Sequence, residues 1–253
     1  MFVLPKPDSW DYLPLSSKIQ HYMIRLDRNH SYYVDKLYSK RIIKDICGDD
    51  IEIPKTIRVL KNNTDIQDSD INPNYMLKAS HGSSWNINFG QDANQSKEYI
   101  LESLRAWNCI FNADIEHQYS YIKPKFFIEE KIKCKYQGNN GKALTWSFYT
   151  LLGKMFYFQV IDKTGDIIDH YDKNWNLLNM ENNGRNGVSK PHNFNKMVEL
   201  AEKVAREFEF LRIDFYLSYD DKIYFSEFTL SPCQGATIYG EYDHIFGKYW
   251  PKI

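Results

Sequence analysis

Apolar side chains recur at helical spacing in several parts of the chain. Two predicted helices, "SSKIQHYMIRL" and "YVDKLYSKRIIKDI", follow each other near the start, and the first begins with serine, a common helix cap. A third helix, "SKEYILESLRAWNCIF", has a predicted apolar face of Ile100, Leu104, Trp107 and Phe111. A fourth helix follows residue 192, and its apolar positions are Met197, Ala201, Val204, Ala205 and Phe208.

Short apolar runs between these helices predict strands. "YMLKAS" and "WNINF" form a predicted hairpin around "HGSS", and "KPKFFIEEKIKC" predicts another strand. "ALTWSFYTLLGKMFYFQVID" predicts two strands that meet at Gly153, and "LRIDFYLSYDDKIYFSEFTL" predicts a final hairpin. Residues 48–74 and 180–192 are polar and predict loops, and the stretch after the final hairpin is irregular. Helices and hairpins that follow each other without regular alternation predict the α+β class.

The final hairpin carries a carboxylate in the middle of each strand, Asp214 and Glu227. If the turn comprises residues 219–222, these two acids lie directly opposite each other. Arg212 then lies opposite Thr229, on the same face of the sheet. The other face is the predicted core, formed by Leu211, Ile213, Phe215, Leu217, Tyr224, Phe228 and Leu230.

Opposed carboxylates repel each other and destabilise a strand pair, so their charge must be offset. A shared proton could offset it, and Arg212 could do so in part. A divalent cation would do it best, because magnesium takes oxygen ligands and is usually held by one or two carboxylates together with substrate phosphates. The alternative is a surface hairpin with solvated acids and a structural contact between Arg212 and Asp214.

The first hairpin carries a pattern typical of phosphate binding. Lys78 ends a predicted strand just before "HGSS", residues 81–84. A short loop of Gly and Ser can turn backbone N–H groups toward phosphate oxygens, and a lysine supplies a compact positive charge. The alternative is an ordinary hairpin turn, in which His81 is structural.

Two further charge pairs are less specific. Lys36 and Lys40 lie four residues apart on the second predicted helix, a spacing that usually forms a solvated face. Glu129 and Glu130 are neighbours at a strand end, so their side chains point to opposite faces, and one of them can face a cleft.

Composition narrows the class of protein. The chain has 253 residues, enough for one large domain or two small ones, and a formal net charge of -1, which gives no reason to expect nucleic acid as a partner. We expect no transmembrane segment and no secretory signal, because no apolar run is long enough. The four cysteines are scattered without a CxxC pair, which argues against zinc and against a disulfide framework. We expect a reduced, cytoplasmic protein.

Taken in order, these motifs resemble the ATP-grasp superfamily, and most closely its TupA-like family, named after a teichuronopeptide-biosynthesis protein. The segments that carry the resemblance are "DKLYSK", "KASHGSS", "IEE", "YDKNW", "PHNFNKM", "FEFLRIDFY" and "FSEFT". It runs from about residue 34 onward. It implies an ATP-grasp fold in which two α+β subdomains, about residues 71–135 and 136–253, clasp ATP behind a helical region at residues 1–70.

The resemblance implies a nucleotide site in the first half of the chain. Lys36 and Lys78 would touch the phosphates of ATP, and residues 82–84 (Gly82, Ser83 and Ser84) would cover them. Glu129 and Glu130 would lie at the adenine hinge, where the backbone of Lys131 and Ile132 would read the base.

The same resemblance implies a catalytic and metal site on the final hairpin. Asp214 and Glu227 would hold magnesium, with Thr229 where many ATP-grasp enzymes have a metal-binding asparagine. Arg212 and Lys78 would be catalytic, and Arg212 would meet the transferred phosphate.

The implied activity is ligation of a carboxylate to an amine through an acyl phosphate, with ATP and magnesium as cofactors. The family name points to a uronic acid of a surface or capsular polysaccharide or its precursor, and to association with polysaccharide-biosynthesis enzymes. The Tyr- and Trp-rich last stretch, with Tyr239, Tyr242 and Trp250, could stack on sugar rings or pack in the core. The alternatives are an ATP-grasp kinase acting on a sugar hydroxyl and a non-catalytic nucleotide- or glycan-binding module.

Overall fold

The structure is a computed structural model that describes residues 5–92, 94–112, 114–138, 141, 143–162, 168–180, 187–236 and 239–252. Its α-helices are α1 (Leu15–Ile24), α2 (Arg28–Val34), α3 (Ser39–Cys47), α4 (Lys97–Ala106), α5 (Phe194–Ala205) and α6 (Tyr242–Gly247). Its strands are β1 (Thr56–Val59), β2 (Tyr75–Ala79), β3 (Asn86–Asn88), β4 (Phe126–Glu130), β5 (Thr145–Leu151), β6 (Lys154–Ile161), β7 (Ile168–Asp172), β8 (Phe210–Leu217) and β9 (Ile223–Thr229).

The strands form two antiparallel sheets, one with the order β1-β4-β2-β3 and one with the order β7-β6-β5-β8-β9. The apolar face of α5 packs on the larger sheet through side chains such as Met197 and Leu200, which are fully buried. The smaller sheet shares a separate core with α4, which includes Leu77, Ile128 and Leu104. Aromatic and β-branched residues dominate β5 and β6, as expected for buried strands. The α+β class predicted from the sequence is confirmed.

The helix predicted around "YVDKLYSKRIIKDI" is broken between α2 and α3. The Asp35 carboxylate accepts hydrogen bonds from the backbone N–H groups of Leu37 at 2.9 Å and Tyr38 at 3.3 Å. Such local side-chain bonds compete with helical backbone bonds and favour a turn. The prediction that Lys36 lies on a helix is therefore wrong, because Lys36 lies on this turn.

Other local predictions are also wrong. The predicted loop at residues 48–74 contains β1, which is too short for its own pattern to be recognised and is held by pairing with β4. The third predicted helix ends at Ala106, so Phe111 lies outside it. The sequence pattern also missed β7 and α6. Within the predicted loop at residues 180–192, residues 181–186 lie outside the described residues.

Four residues tie the first helix to the last described segment, and we call Trp10, Lys18, Gly247 and Trp250 the terminal clasp. The Lys18 ammonium is fully buried and donates hydrogen bonds to the carbonyl oxygens of Gly247 and Trp250, both at 2.7 Å. The Trp10 indole N–H donates to the same Trp250 carbonyl at 2.7 Å. Such contacts satisfy a buried charge with oriented dipoles.

The aromatic residues of the last segment belong to the core. Trp250 is fully buried and stacks on Phe210 with ring centroids 5.8 Å apart. Tyr239 is 1% exposed, and Tyr242 packs against the same core. Of the two interpretations, core packing is therefore confirmed for Tyr239 and Trp250, because neither ring is open to a ligand.

No helix in the described ranges is both long and apolar enough to cross a membrane. The four cysteines are all free; Cys47 and Cys134 are buried, whereas Cys109 and Cys233 are exposed.

The carboxylate of Glu209 makes the free energy of unfolding depend on pH. Burial alone would raise its pKa, but hydrogen bonds from Arg25 and Lys6 lower the pKa to about 2 from the usual 4.5. A lowered folded-state pKa contributes stability that is present above the unfolded-state value and is lost as the pH falls through the folded-state value. We therefore expect the wild type to lose about 1–2 kcal/mol more than Glu209→Gln between pH 4.5 and pH 2, after allowance for solvent screening.

Urea unfolding at stepped pH measures this difference. Parallel curves for the wild type and Glu209→Gln across that window would contradict the expectation.

Candidate functional site

The strands β8 and β9 bring the predicted acids together. Asp214 pairs directly with Glu227, and Arg212 pairs with Thr229, so this part of the predicted register is confirmed. Side chains at positions 212 and 214 of one strand point to the same face. The carboxylates therefore face each other across the strands, next to a guanidinium.

The predicted pairing of the two acids is right, although the predicted turn is wrong. Leu217, rather than Ser218, pairs with Ile223, so the connection comprises residues 218–222. A β-bulge then adds Ser226 to β9 and restores the predicted pairing at Asp214 and Glu227. The same bulge puts Phe225 on the core face instead of the predicted Tyr224, which is only partly buried.

Arg212 bridges the two acids. Its Nε and Nη2 atoms donate to the two oxygens of Asp214, each at 2.8 Å, and Nη2 also donates to Glu227 at 3.3 Å. Burial alone would lower the pKa of Arg212, but the carboxylates of Asp214 and Glu227 raise it well above its usual value. The Asp214 residue is only 2% exposed, whereas the Glu227 side chain is 22% exposed. One face of the acid pair is thus closed by Arg212, and Glu227 is the acid nearer to solvent.

Lys36 connects this pair to the predicted phosphate loop. Its ammonium donates a hydrogen bond to the Gly82 carbonyl and lies 3.9 Å from a carboxylate oxygen of Glu227. Ser83 and Ser84 are exposed at the tip of the loop, and Ser84 has a left-handed backbone with φ 59°. The structure therefore places Lys36 between the loop and the acid pair.

Lys78 lies in a second charged group. Its ammonium donates to one oxygen of Glu129, and the Lys40 ammonium lies 2.6 Å from the other. Glu129 is 3% exposed, whereas its neighbour Glu130 is exposed, as expected for adjacent strand residues. Burial alone would raise the pKa of Glu129, but the two lysines lower it below its usual range.

A cavity of about 580 Å³ opens beside this group, between the two sheets. Its walls include Lys78, Glu129, Glu130, Lys131 and Ile132, which are the predicted hinge residues with the predicted phosphate lysine. The N–H of Lys131 donates to the Asn74 carbonyl at 2.8 Å and is therefore not offered to a ligand. The volume is in the range of pockets that hold small molecules and cofactors.

The family model for TupA-like ATP-grasp proteins matches residues 17–250. The chain belongs to the TupA-like ATP-grasp family. The predicted family and the predicted ATP-grasp fold are both confirmed. A comparison with curated proteins found no significant match.

Two solved enzyme structures are distantly similar to this chain. An ADP complex of N5-carboxyaminoimidazole ribonucleotide synthetase is 13% identical with a TM-score of 0.48, covering 80% of this chain and 46% of its own. The D-alanine–D-alanine ligase of Bacillus anthracis, complexed with ATP, is 12% identical with a TM-score of 0.44, covering 79% of this chain and 54% of its own. This chain thus spans about half the length of these enzymes.

The donor set of this ATP-grasp chain fits magnesium held together with nucleotide phosphates. In the described residues, no cluster of three or more His, Cys, Asp or Glu side chains is arranged to hold a metal by itself. Magnesium does not need one, because it is usually held by one or two carboxylates plus phosphate oxygens. Asp214 and Glu227 would supply those two carboxylates, and Thr229 lies two residues beyond Glu227 on the same face of β9.

His81 and Gly82 have structural reasons to be in the loop. The Lys125 N–H donates to His81 Nδ1 at 3.3 Å, so the ring donates through Nε2 to the Trp107 carbonyl at 2.8 Å. A side chain at Gly82 would meet the Trp85 ring at 2.4 Å. The histidine is therefore fixed as a hydrogen-bonded core residue, and only glycine fits after it.

Two neighbours of the site were missed by the sequence patterns. Lys40, expected on a solvated face, has a side chain only 11% exposed and binds Glu129. Tyr149 of β5 pairs with Arg212 on the other side of β8 and is 1% exposed. The positions of Lys40 and Tyr149 beside the site depend on how strands and helices pack. The local sequence carries no signal of that packing.

Proposed function

We propose that this protein is an ATP-dependent ligase that joins a carboxylate to an amine. The observation that carries the proposal is the opposed pair Asp214 and Glu227, bridged by Arg212 beside Lys36 and the Gly82 loop. A purely structural hairpin gains nothing from two opposed acids. Family membership supports the same assignment.

We further propose how the described residues share the work. Lys36 and Lys78 bind the phosphates of ATP under the loop of Gly82, Ser83 and Ser84. The cavity at Glu129, Glu130, Lys131 and Ile132 holds the base, which is read by the backbone of Ile132 because the Lys131 N–H is occupied. In this scheme residues 71–135 and 136–253 form the two clasping subdomains, behind the region at residues 1–70.

The reaction itself requires positioning and charge neutralisation rather than a protein nucleophile. The substrate carboxylate attacks the γ-phosphorus, ADP leaves, and the amine then attacks the acyl carbon, releasing phosphate and a proton. Asp214, Glu227 and Thr229 hold magnesium, which supplies positive charge to the phosphate oxygens. Arg212 stabilises the negative charge on the transferred group.

The substrate we propose is a uronic acid of a surface or capsular polysaccharide or of its precursor, joined to an amine or amino acid. This assignment is supported by the family name alone. In the proposal the enzyme works beside other polysaccharide-biosynthesis enzymes.

Magnesium-dependent ATP binding tests the proposed site. We expect ATP with magnesium, at about a hundred times its Kd, to raise the melting temperature of the wild type by about 5–10 °C, because a ligand of the folded state stabilises it. The rise requires magnesium and is lost in Asp214→Asn/Glu227→Gln. The matched control is Asp220→Asn/Asp221→Asn, which neutralises two acids on the connection of the same hairpin, 63% and 39% exposed.

A well-folded wild type that shows no shift would contradict ATP binding. If ATP binds, ADP release in a screen of uronic acids with amines assigns the chemistry. An amide product with free phosphate supports the ligase, whereas a phosphorylated sugar identifies a kinase instead.

A further inference from the structure

A buried polar cluster lies outside the residues used so far. Its centre is Glu116, which is 7% exposed and accepts a hydrogen bond from the Ser231 hydroxyl. The same carboxylate accepts from the side-chain amides of Asn112 at 3.1 Å and Gln234 at 3.4 Å. Gln118, fully buried, donates through Nε2 to Ser231 Oγ at 3.0 Å. We call these five residues the Glu116 cluster.

Proton counting fixes the orientation of Gln118. The Ser231 hydroxyl has one proton, which goes to Glu116, so Ser231 must accept from its other neighbour. Gln118 therefore presents its NH₂ group to Ser231, and its carbonyl oxygen does not contact the Ser231 hydroxyl. This Oε1 atom is buried and has no hydrogen-bond partner. Since both amide heteroatoms share one carbon, the orphan acceptor lies beside the cluster.

The Glu116 cluster is short of positive charge. The partners of the Glu116 carboxylate named above are all neutral donors, and among the described residues no lysine, arginine or histidine forms an ion pair with it. A buried carboxylate without a cation is costly, and so is a buried carbonyl without a donor. A ligand that carries positive charge together with N–H donors would relieve both costs.

The cluster adjoins the proposed reaction centre. Ser231 is the second residue after Thr229 on the segment that leaves β9. Tyr119 is within electrostatic range of both sites: burial raises its pKa, as do the charges of Glu116 and Glu227. A group bound at Glu116 is thus near the acids that we assign to magnesium.

An exposed side chain covers one side of the cluster. Gln234 is exposed and holds Glu116 only through the 3.4 Å contact. Its backbone, like those of Cys233 and Gly235, is left-handed, with φ values of 54°, 50° and 69°. Left-handed conformations of non-glycine residues persist where surrounding contacts hold them, often at ligand sites. A stronger hydrogen-bond donor can therefore displace the Gln234 amide from the Glu116 carboxylate.

We propose that the Glu116 cluster binds the primary ammonium group of the amine co-substrate, with Glu116 and the Gln118 carbonyl as its acceptors. The inference rests on the proposed ligase function only in naming this cation as the co-substrate. Held here, the ammonium is delivered beside Thr229, and transfer of one of its protons to the Glu116 carboxylate frees the nitrogen for attack on the acyl carbon.

Small cations test the site without nucleotide or carboxylate. Methylammonium chloride is expected to raise the melting temperature of the wild type by about 2–4 °C above the effect of equal sodium chloride. Tetramethylammonium has the same charge but no N–H donors, and potassium has neither N–H donors nor an organic group. Both should behave like sodium. Glu116→Gln should abolish the methylammonium effect, whereas Glu199→Gln, which alters an acid 63% exposed on α5, should keep it.

Several outcomes would overturn the proposal: no methylammonium effect in the wild type, an equal effect of potassium or tetramethylammonium, or an unchanged effect in a folded Glu116→Gln. The comparison of cations needs only the wild type, so it decides the question even if the variant does not fold. Failure here leaves magnesium-dependent ATP binding intact, and failure of ATP binding leaves this result intact, so the two proposals are tested separately. In the active enzyme, Glu116→Gln should raise KM for the amine about tenfold or more and leave KM for ATP unchanged.

Discussion

Replacing Arg212 with methionine is expected to lower the free energy of unfolding by about 3–5 kcal/mol. The guanidinium is the cation bound to both oxygens of Asp214, a residue only 2% exposed, and a methionine leaves that carboxylate buried without it. If Arg212 acts as we propose, turnover should fall about 10²–10³-fold as well, because the substitution removes a preorganised donor to the transferred phosphate. Urea unfolding and ADP release measure the two effects.

A double mutant separates charge burial from chemistry. In Arg212→Met/Asp214→Asn the carboxylate that lost its guanidinium is also replaced, so most of the lost stability should return, while activity should not. This pattern identifies the instability as a buried-charge effect within the Arg212–Asp214 pair. If the double mutant lost as much free energy of unfolding as the two single mutants together, the Arg212–Asp214 ion pair would not be what stabilises these strands.

Replacing Glu129 with glutamine is expected to cost a similar amount, about 3–5 kcal/mol, at neutral pH. Glu129 is 3% exposed and receives the ammonium groups of Lys40 and Lys78, which would lose the carboxylate that they share. Glu130→Gln is the matched control, because it makes the same change one residue along, on an exposed side chain, and should stay within about 0.5 kcal/mol of the wild type.

The pH dependence gives a second readout for Glu129. Its folded-state pKa lies below the usual 4.5, so its contribution is present above that value and disappears as the pH falls through the folded-state value. The wild type and Glu129→Gln should therefore converge in acid. Equal stabilities at pH 7, measured by urea unfolding, would mean that the two lysines do not depend on Glu129.

Much of the site was predictable because it follows the short periods of secondary structure. The alternation of β8 placed Arg212 and Asp214 on one face, and the family motifs singled out the loop at Gly82. The pairing of Asp214 with Glu227 was predicted through two errors that cancel: the turn was set one residue wrong, and the bulge at Ser226 shifts the register back. A bulge has no reliable signature in one sequence, so only the structure could show this.

The sequence could not show those parts of the site that depend on contacts between distant segments. Lys40 meets Glu129, and Glu116 meets Ser231, through packing across 89 and 115 positions. Nothing local marks either acid as buried. The break at Asp35 is different in kind, because its cause is local: a side chain that caps a turn, placed inside a helical pattern.

The terminal clasp bears on how the chain folds as it is synthesised. Lys18 and its acceptor at Gly247 are 229 positions apart, and Trp10 and Trp250 are 240 apart. A nascent chain that has reached residue 235 already contains every strand of both sheets, yet the Lys18 ammonium and the Trp10 indole have none of their carbonyl partners. Until residues 242–250 emerge from the ribosome, α1 lacks its packing against α6 and Lys18 lacks both of its acceptors, a state that favours aggregation or chaperone binding.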